Sequence, residues 1–151
     1  MRVVVGADHG GYRLKEILKR YVASEGFEVI DLGAFDEKPS DYPDFAGAVA
    51  ESIREGRAER GIVICGSGVG ASIAASKFPG VRAAVCHDSY SAHQGVEHDD
   101  MNVLCLGERV IGEELAKELA LIFLRARFSG AERHARRLEK VRQIERDFAK
   151  A

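Results

Sequence analysis

Short, unbroken apolar runs recur along the chain, separated by longer stretches in which apolar positions return every three to four residues. The runs are Arg2–Ala7, Phe27–Leu32, Gly61–Cys65, Val81–Val85 and Asn102–Leu106. Strands buried on both faces read in this way, because neither side of the pleat needs polar residues. Between them, helical periodicity predicts helices over Tyr12–Ser24, Phe45–Glu55, Val69–Lys77, Ser89–Gly95 and Glu113–Ala126. In the first of these, Leu14, Ile17, Leu18 and Tyr21 form one stripe, and Lys15, Glu16, Lys19 and Arg20 are expected opposite it. Strict alternation of strand and helix predicts an α/β fold, a Rossmann-like three-layer α/β/α sandwich on a five-stranded parallel sheet. The pattern leaves strand order open. Ser129–Ala151 predicts an extended C-terminal helix with no evident partner in such a sandwich, and a second subunit would give it one.

In folds of this kind ligands gather beyond the carboxyl ends of the strands. Asp8-His9-Gly10-Gly11 follows the first strand, Gly33-Ala34-Phe35 leads from the second towards Asp41-Tyr42-Pro43, and Cys86-His87-Asp88 follows the fourth. The fifth ends in Leu106-Gly107-Glu108-Arg109. The third is followed by the most informative stretch of all, Cys65-Gly66-Ser67-Gly68-Val69-Gly70. Three glycines at alternate positions let the backbone turn tightly and aim several N–H groups at one point. That is a cradle for a phosphate or an oxyanion, with a thiol at its lip. Glycine-rich turns between strand and helix are common, however, and a lone cysteine after a strand is more often a small apolar core residue. Other features must add weight.

The 151 residues suit one domain, 1–151, able to bury a full core. A net charge of −2 and a pI near 6.2 argue against nucleic-acid and membrane partners. Cys65, Cys86 and Cys105 are odd in number and lie in or beside apolar runs, which argues against disulfides and for a reducing cytoplasm. No Cys-x-x-Cys or His-x-x-x-His spacing points to zinc. With no signal peptide and no apolar run of spanning length, a cytoplasmic protein is expected. The start of the C-terminal segment is strongly basic. Arg133 and Arg137 share one helical face, either as part of a solvated surface balanced by Glu132, Glu139 and Glu145 or as a two-arginine clamp for phosphate.

Asp8-His9-Gly10-Gly11, Asp41-Tyr42-Pro43, Ile64 to Gly70, Gly80 to Ala84, His98 to Leu104 and Gly107 to Val110 occur together in this order. The series resembles the type B ribose-5-phosphate isomerase family, with its galactose- and allose-phosphate isomerases, from Val3 to about Ile144. The resemblance implies aldose–ketose isomerisation of a sugar phosphate, most simply ribose 5-phosphate to ribulose 5-phosphate. The route is ring opening, then C1–C2 proton transfer through an enediolate. It implies Cys65 as base, Ser67 as a proton relay, His98 as ring-opening acid/base and Asp8 near it as its counterpart. Gly66, Gly68, Val69 and Gly70 would hold the enediolate oxygen through their amides. His9, Arg109, Arg133 and Arg137 would contact phosphate and substrate, and Tyr42 would line the sugar site. It implies no metal, no cofactor, and a homodimer or dimer of dimers whose site is shared between subunits.

Two positions depart from the family pattern. Ser67 replaces the usual threonine and keeps the hydroxyl. Asp99 stands where asparagine is usual, so an acceptor replaces a donor near the reacting oxygens, and the identity of the sugar is opened to a tetrose or hexose phosphate. His87 and His93 have no family role and are expected at structural or surface positions. A low-molecular-weight cysteine phosphatase would need arginine six residues after the cysteine, where this chain has Ala71. A dinucleotide-binding module would use Gly66, Gly68, Ala71 and Asp88 but leaves Cys65 and His98 idle. A non-catalytic sugar-phosphate sensor is the remaining alternative.

Overall fold

The computed structural model describes residues 1–149. Lys150 and Ala151, the end of the expected C-terminal segment, lie outside the described residues. The strands are β1 Arg2–Ala7, β2 Glu28–Asp31, β3 Arg60–Cys65, β4 Ala83–Val85 and β5 Val103–Gly107. The helices are α1 Tyr12–Ser24, α2 Tyr42–Arg54, α3 Val69–Ala75, α4 Ser89–Asp99, α5 Glu113–Arg125 and α6 Glu132–Phe148. All strand pairs are parallel, in the order β2-β1-β3-β5-β4. From β1 the chain moves one way to β2 and then crosses back to β3. With right-handed crossovers, that reversal puts α1 and α2 on opposite faces and opens a crevice between the ends of β1 and β3. Asp8 and Cys65 stand at that crevice.

The strand side chains alternate between two cores. Val3, Val5, Ile62, Ile64, Leu104 and Leu106 pack with α1, α4 and α5 on one face. Val4, Val63, Cys65, Val103 and Cys105 pack with α2 and α3 on the other. This is the three-layer sandwich on a five-stranded parallel sheet that the pattern predicts.

Several boundaries differ from the sequence reading, each for a local reason. Helix α2 begins at Tyr42 rather than Phe45, because Pro43 is already preset for a first helical turn. Helix α4 continues through Gly95 to Asp99; Gly95 is there for space, since a Cβ would meet the Met101 sulfur at 3.1 Å. Helix α6 does have an intrachain partner. Its first turns bury His134 and Leu138 towards α4, while Val141, Ile144 and Phe148 continue the same stripe exposed.

Lys15, expected on the polar face of α1, is fully buried. Its Nζ donates to both Asp31 oxygens at 2.7 and 2.8 Å and to the Ala34 carbonyl at 2.5 Å. Burial works against the Asp31 carboxylate, but hydrogen bonds from Lys15, Lys19 and the Gly33 N–H outweigh it and hold its pKa below 3.8. A carboxyl depressed in the folded state contributes stability above its unfolded pKa and loses it as pH falls through the folded value. Lys15→Met takes the buried partner from Asp31 and leaves the Ala34 carbonyl unpaired, while Lys19 and the Gly33 N–H stay on the carboxylate, and a cost of about 1–3 kcal/mol at pH 7 is expected. Urea melts should show the gap between Asp31→Asn and the unsubstituted protein narrowing once pH drops below about 4. A gap that stays constant from pH 7 to pH 2 would remove the pair from the stability of the fold.

Candidate active site

The loop after β3 is shaped by what its glycines permit. Gly68 has φ of +82°, and a Cβ there would lie 3.0 Å from the Leu106 backbone, so only glycine lets the loop sit against β5. A Cβ at Gly70 would fall 2.6 Å from the Tyr42 ring, so glycine lets that ring lie over the loop. The start of the loop is tied to the residues after β5. The Glu108 and Arg109 N–H groups donate to the Cys65 and Gly66 carbonyls at 3.0 and 3.1 Å.

Within this loop the Gly68 N–H donates to Cys65 Sγ at 3.1 Å, and the Val69 N–H donates to Ser67 Oγ at 3.2 Å. Two of the amides expected in the cradle are therefore spent locally, one of them on the thiol. The N–H groups of Gly66, Ser67 and Gly70 have no acceptor among the described residues. Asp8 reaches the same place: its Oδ1 accepts the Gly10 N–H at 2.9 Å, and Gly10 lies against the Gly66 amide. The exposed Arg109 side chain passes over Gly66. His9 is held beside the crevice by Ser40, whose hydroxyl accepts the His9 N–H and whose own N–H donates to His9 Nδ1, both at 3.1 Å. The crevice thus gathers Asp8, His9, Tyr42, Cys65, Ser67, the loop amides and Arg109.

The surroundings separate the three cysteines. Cys105 is wholly buried and its thiol is pushed far up, first by desolvation and then by the other two cysteines. Burial, aided by Asp88, pushes Cys86 up to about 11. Both stay protonated in the core. Cys65 alone lies at the carboxyl end of its strand with an N–H aimed at its sulfur.

His98, Asp99, Arg133 and Arg137 gather elsewhere. Helix α4 runs back against the strand direction, so its last residues reach the opposite end of the sheet. There Gly61 pairs with Val103, whereas Cys65 pairs with Gly107. Four residue steps of parallel strand, about 13 Å, lie between those levels. Asp8 and His98 are consequently not neighbours within one chain. The His98 ring stacks on His134 with centroids 4.0 Å apart. Asp99 and Arg137 line a groove of about 460 Å³ with Arg82, bounded by β4, α4 and α6. Among the described residues neither Arg133 nor Arg137 has an acidic partner, whereas Arg136 pairs with Glu132 and Arg146 with Glu139. The basic segment is thus two-sided, with one ion-paired face and one carrying two arginines without acids.

Supporting contacts surround these clusters, including those of the two histidines expected at structural or surface positions. Glu108 Oε1 accepts the Leu14 N–H at 2.6 Å and so closes the start of α1, whose own N-cap is the side-chain-less Gly11. His87 accepts the Gly107 N–H through Nε2 at 3.0 Å; burial keeps its pKa low against the pull of Asp88. His93 is exposed and pairs with Glu97. Asp88 accepts the Ser91 N–H at 2.7 Å as the N-cap of α4, which occupies the carboxylate that a dinucleotide ribose would have needed. Among the described residues, no group of three or more His, Cys, Asp or Glu is placed to hold a metal ion, and no helix is long and apolar enough to cross a membrane.

The ribose/galactose isomerase family model matches residues 3–141. Ribose-5-phosphate isomerase B of Escherichia coli is 44% identical over 144 residues, 95% of this chain and 96% of that protein. A D-erythrulose-4-phosphate isomerase of Pectobacterium atrosepticum is 40% identical over 144 residues, 93% of each chain. The solved structure of Clostridium thermocellum ribose-5-phosphate isomerase B superposes with a TM-score of 0.96 at 48% identity, covering 99% of this chain and all of that one.

Proposed function

This chain belongs to the ribose/galactose isomerase family, and we propose that it interconverts ribose 5-phosphate and ribulose 5-phosphate by ring opening and proton transfer through an enediolate. The observation that carries this reading is the crevice loop, where a thiol at a strand end receives one N–H and unpaired amides stand beside it. Cys65 takes the proton from C2 and returns one to C1. It does so as the thiolate and becomes a neutral thiol while the charge passes to the sugar oxygens, and the Gly68 N–H is a hydrogen-bond partner for the starting thiolate. The Gly66, Ser67 and Gly70 amides offer hydrogen bonds to the enediolate oxygen, where negative charge develops. Ser67 Oγ, exposed at the lip, relays a proton between the two sugar oxygens. Asp8 accepts from a sugar hydroxyl and Tyr42 walls the pocket.

Ring opening needs an acid/base at the ring oxygen, and His98 supplies it from a second copy of the chain. The distance between the two clusters in one chain motivates this assignment. A homodimer, or a dimer of dimers, brings His98, Asp99, Arg133 and Arg137 of one copy to the Cys65 crevice of the other. The exposed Val141, Ile144 and Phe148 of α6 and the exposed Phe35, Tyr42 and Val69 near the crevice are apolar surface for such a contact. Arg133 and Arg137 then clamp the phosphate together with His9 and Arg109. Replacing either clamp arginine by alanine should raise KM about ten- to a hundredfold with kcat much less affected, since a charge-assisted contact is worth about 1.5–3 kcal/mol. Unchanged KM in both variants would return that face of α6 to plain solvation. We place the reaction in the pentose phosphate pathway of a reducing cytoplasm, a setting in keeping with three free, buried cysteines.

A second substrate, a tetrose phosphate, is supported by the similarity to a D-erythrulose-4-phosphate isomerase. Asp99, a carboxylate in the α4–α6 groove where the family pattern has an amide, is the departure that would retune the sugar. Rates of aldose–ketose interconversion over four-, five- and six-carbon sugar phosphates test both readings. Asp99→Asn is expected to remain active and to change the ranking of the sugars, because a donor replaces an acceptor facing the substrate. An identical ranking and an identical pH–rate profile would place Asp99 outside the reach of the sugar. No turnover of any sugar phosphate would refute the isomerase assignment for this chain.

A further inference from the structure

No step of that reaction uses His134, yet it is 3% exposed on a helix that is otherwise strongly polar. An imidazole removed from water needs partners. One face of the ring lies on the His98 ring, with centroids 4.0 Å apart and planes inclined by 25°. At its edge, Ser129 Oγ stands 2.5 Å from Nδ1. Ser129 is itself anchored, since its N–H donates to the Glu97 carbonyl at 2.9 Å and its Oγ accepts the Ala131 N–H at 3.2 Å. The connection from α5 to α6 is thereby tied to α4 at the residue just before His98.

The His98 ring has a second restraint. The Gln94 amide nitrogen, one turn earlier on α4, lies 2.9 Å from His98 Nδ1. An amide nitrogen only donates, so Nδ1 is the acceptor and the neutral ring carries its proton on Nε2. The nearest carboxylate to that edge is Glu97, 4.0 Å away. Stacking sets the plane of the ring, and the Gln94 contact sets its tautomer.

We propose that His134 is a positioning residue for His98: anchored through Ser129, its stacked ring holds the His98 imidazole so that the Nε2–H edge meets the ring oxygen of a cyclic sugar phosphate. The inference rests on the ring-opening role given above to His98. Burial lowers the pKa of His134, and His98, Arg133 and Arg137 push the same way against Glu97. That direction disfavours a second positive charge on the ring that faces His98 across the stack.

Sugar chemistry supplies a discriminating test. Ribose 5-phosphate closes a five-membered ring through its C4 oxygen. A tetrose 4-phosphate has that oxygen esterified and cannot, so its isomerisation needs no ring-opening acid. For His134→Ala, kcat on ribose 5-phosphate should fall about ten- to a hundredfold, the scale of a misplaced acid/base, with KM changed less than about threefold. The ratio of kcat/KM for ribose 5-phosphate to that for erythrose 4-phosphate should fall about tenfold or more. His134→Phe, which keeps a flat ring to stack on, should restore most of the lost kcat and serves as the folding control. Long-range ¹H–¹⁵N correlation of labelled histidine reads the tautomer directly: one Nε2–H form of His98 in the unsubstituted protein, a mixture in His134→Ala. Equal losses on both sugars would overturn the proposal, as would an unchanged His98 tautomer with unchanged pentose turnover. An unsubstituted protein that turns over neither sugar would refute the isomerase reading instead, and the spectrum would then decide the positioning by itself.

Discussion

Cys65→Ala is expected to lower kcat by about two to four orders of magnitude, the usual cost of deleting the group that moves the proton. Fold and sugar-phosphate binding should survive. The side chain is small, and removing one sulfur from the edge of the α2–α3 core leaves only a minor void. The phosphate contacts lie on other residues. Cys86→Ala and Cys105→Ala are the matched controls. Both thiols are buried and held protonated in the core, so these changes should lower the melting temperature without reducing turnover per folded molecule. Steady-state rates on ribose 5-phosphate, with thermal melts of all three variants, read the contrast. Near-normal turnover in Cys65→Ala would pass the base to another group.

The second large effect is complementation between inactive variants. Cys65→Ala and His98→Ala should each be nearly inactive as homodimers, since every site then lacks either its base or its ring-opening acid. Mixed after dissociation and reassociated at random, half of the dimers carry one subunit of each kind. In those, one site receives both substitutions and the other receives neither. About a quarter of the unsubstituted activity should therefore return, as two-fold symmetry with a shared site requires. A site contained in one chain would give no recovery at any mixing ratio. The same experiment reads the assembly, because a fully active monomer in sedimentation would also rule out sharing. Ribose 5-phosphate is the substrate to use here, because a tetrose phosphate bypasses the need for His98.

Much of the fold is legible in the chain because burial on both faces leaves a signature that needs no partner to interpret. Val3-Val4-Val5 and Ile62-Val63-Ile64 can only be interior strands of a covered sheet, and Leu14, Leu18 and Val22 can only be one side of a helix. Lys15 departs from its pattern for a matching reason. Periodicity marks a lysine as polar, and only Asp31, brought alongside by the pairing of β1 with β2, makes its burial affordable. Gly95 ends the helical pattern in the chain, but in the fold it lies inside α4, where Met101 occupies the space a side chain would need.

The candidate site divides along the same line. Residues that follow one another in the chain, such as Cys65 to Gly70 or Asp8 to Gly11, declare their chemistry through local geometry, since a tight turn of small residues fixes where its amides point. The chain by itself thus determined the α/β class, the five strands, the crevice loop and, through motif resemblance, the reaction. Tertiary structure alone decided the strand order, which of three buried cysteines receives a loop N–H at its sulfur, and that His98 and Asp8 lie at opposite ends of the sheet. It also set His134 against His98. The physical reason is range: hydrophobic period and turn chemistry act over a few residues. A stacking contact between residues 98 and 134, or a separation across a sheet, exists only once non-local packing has brought those segments together.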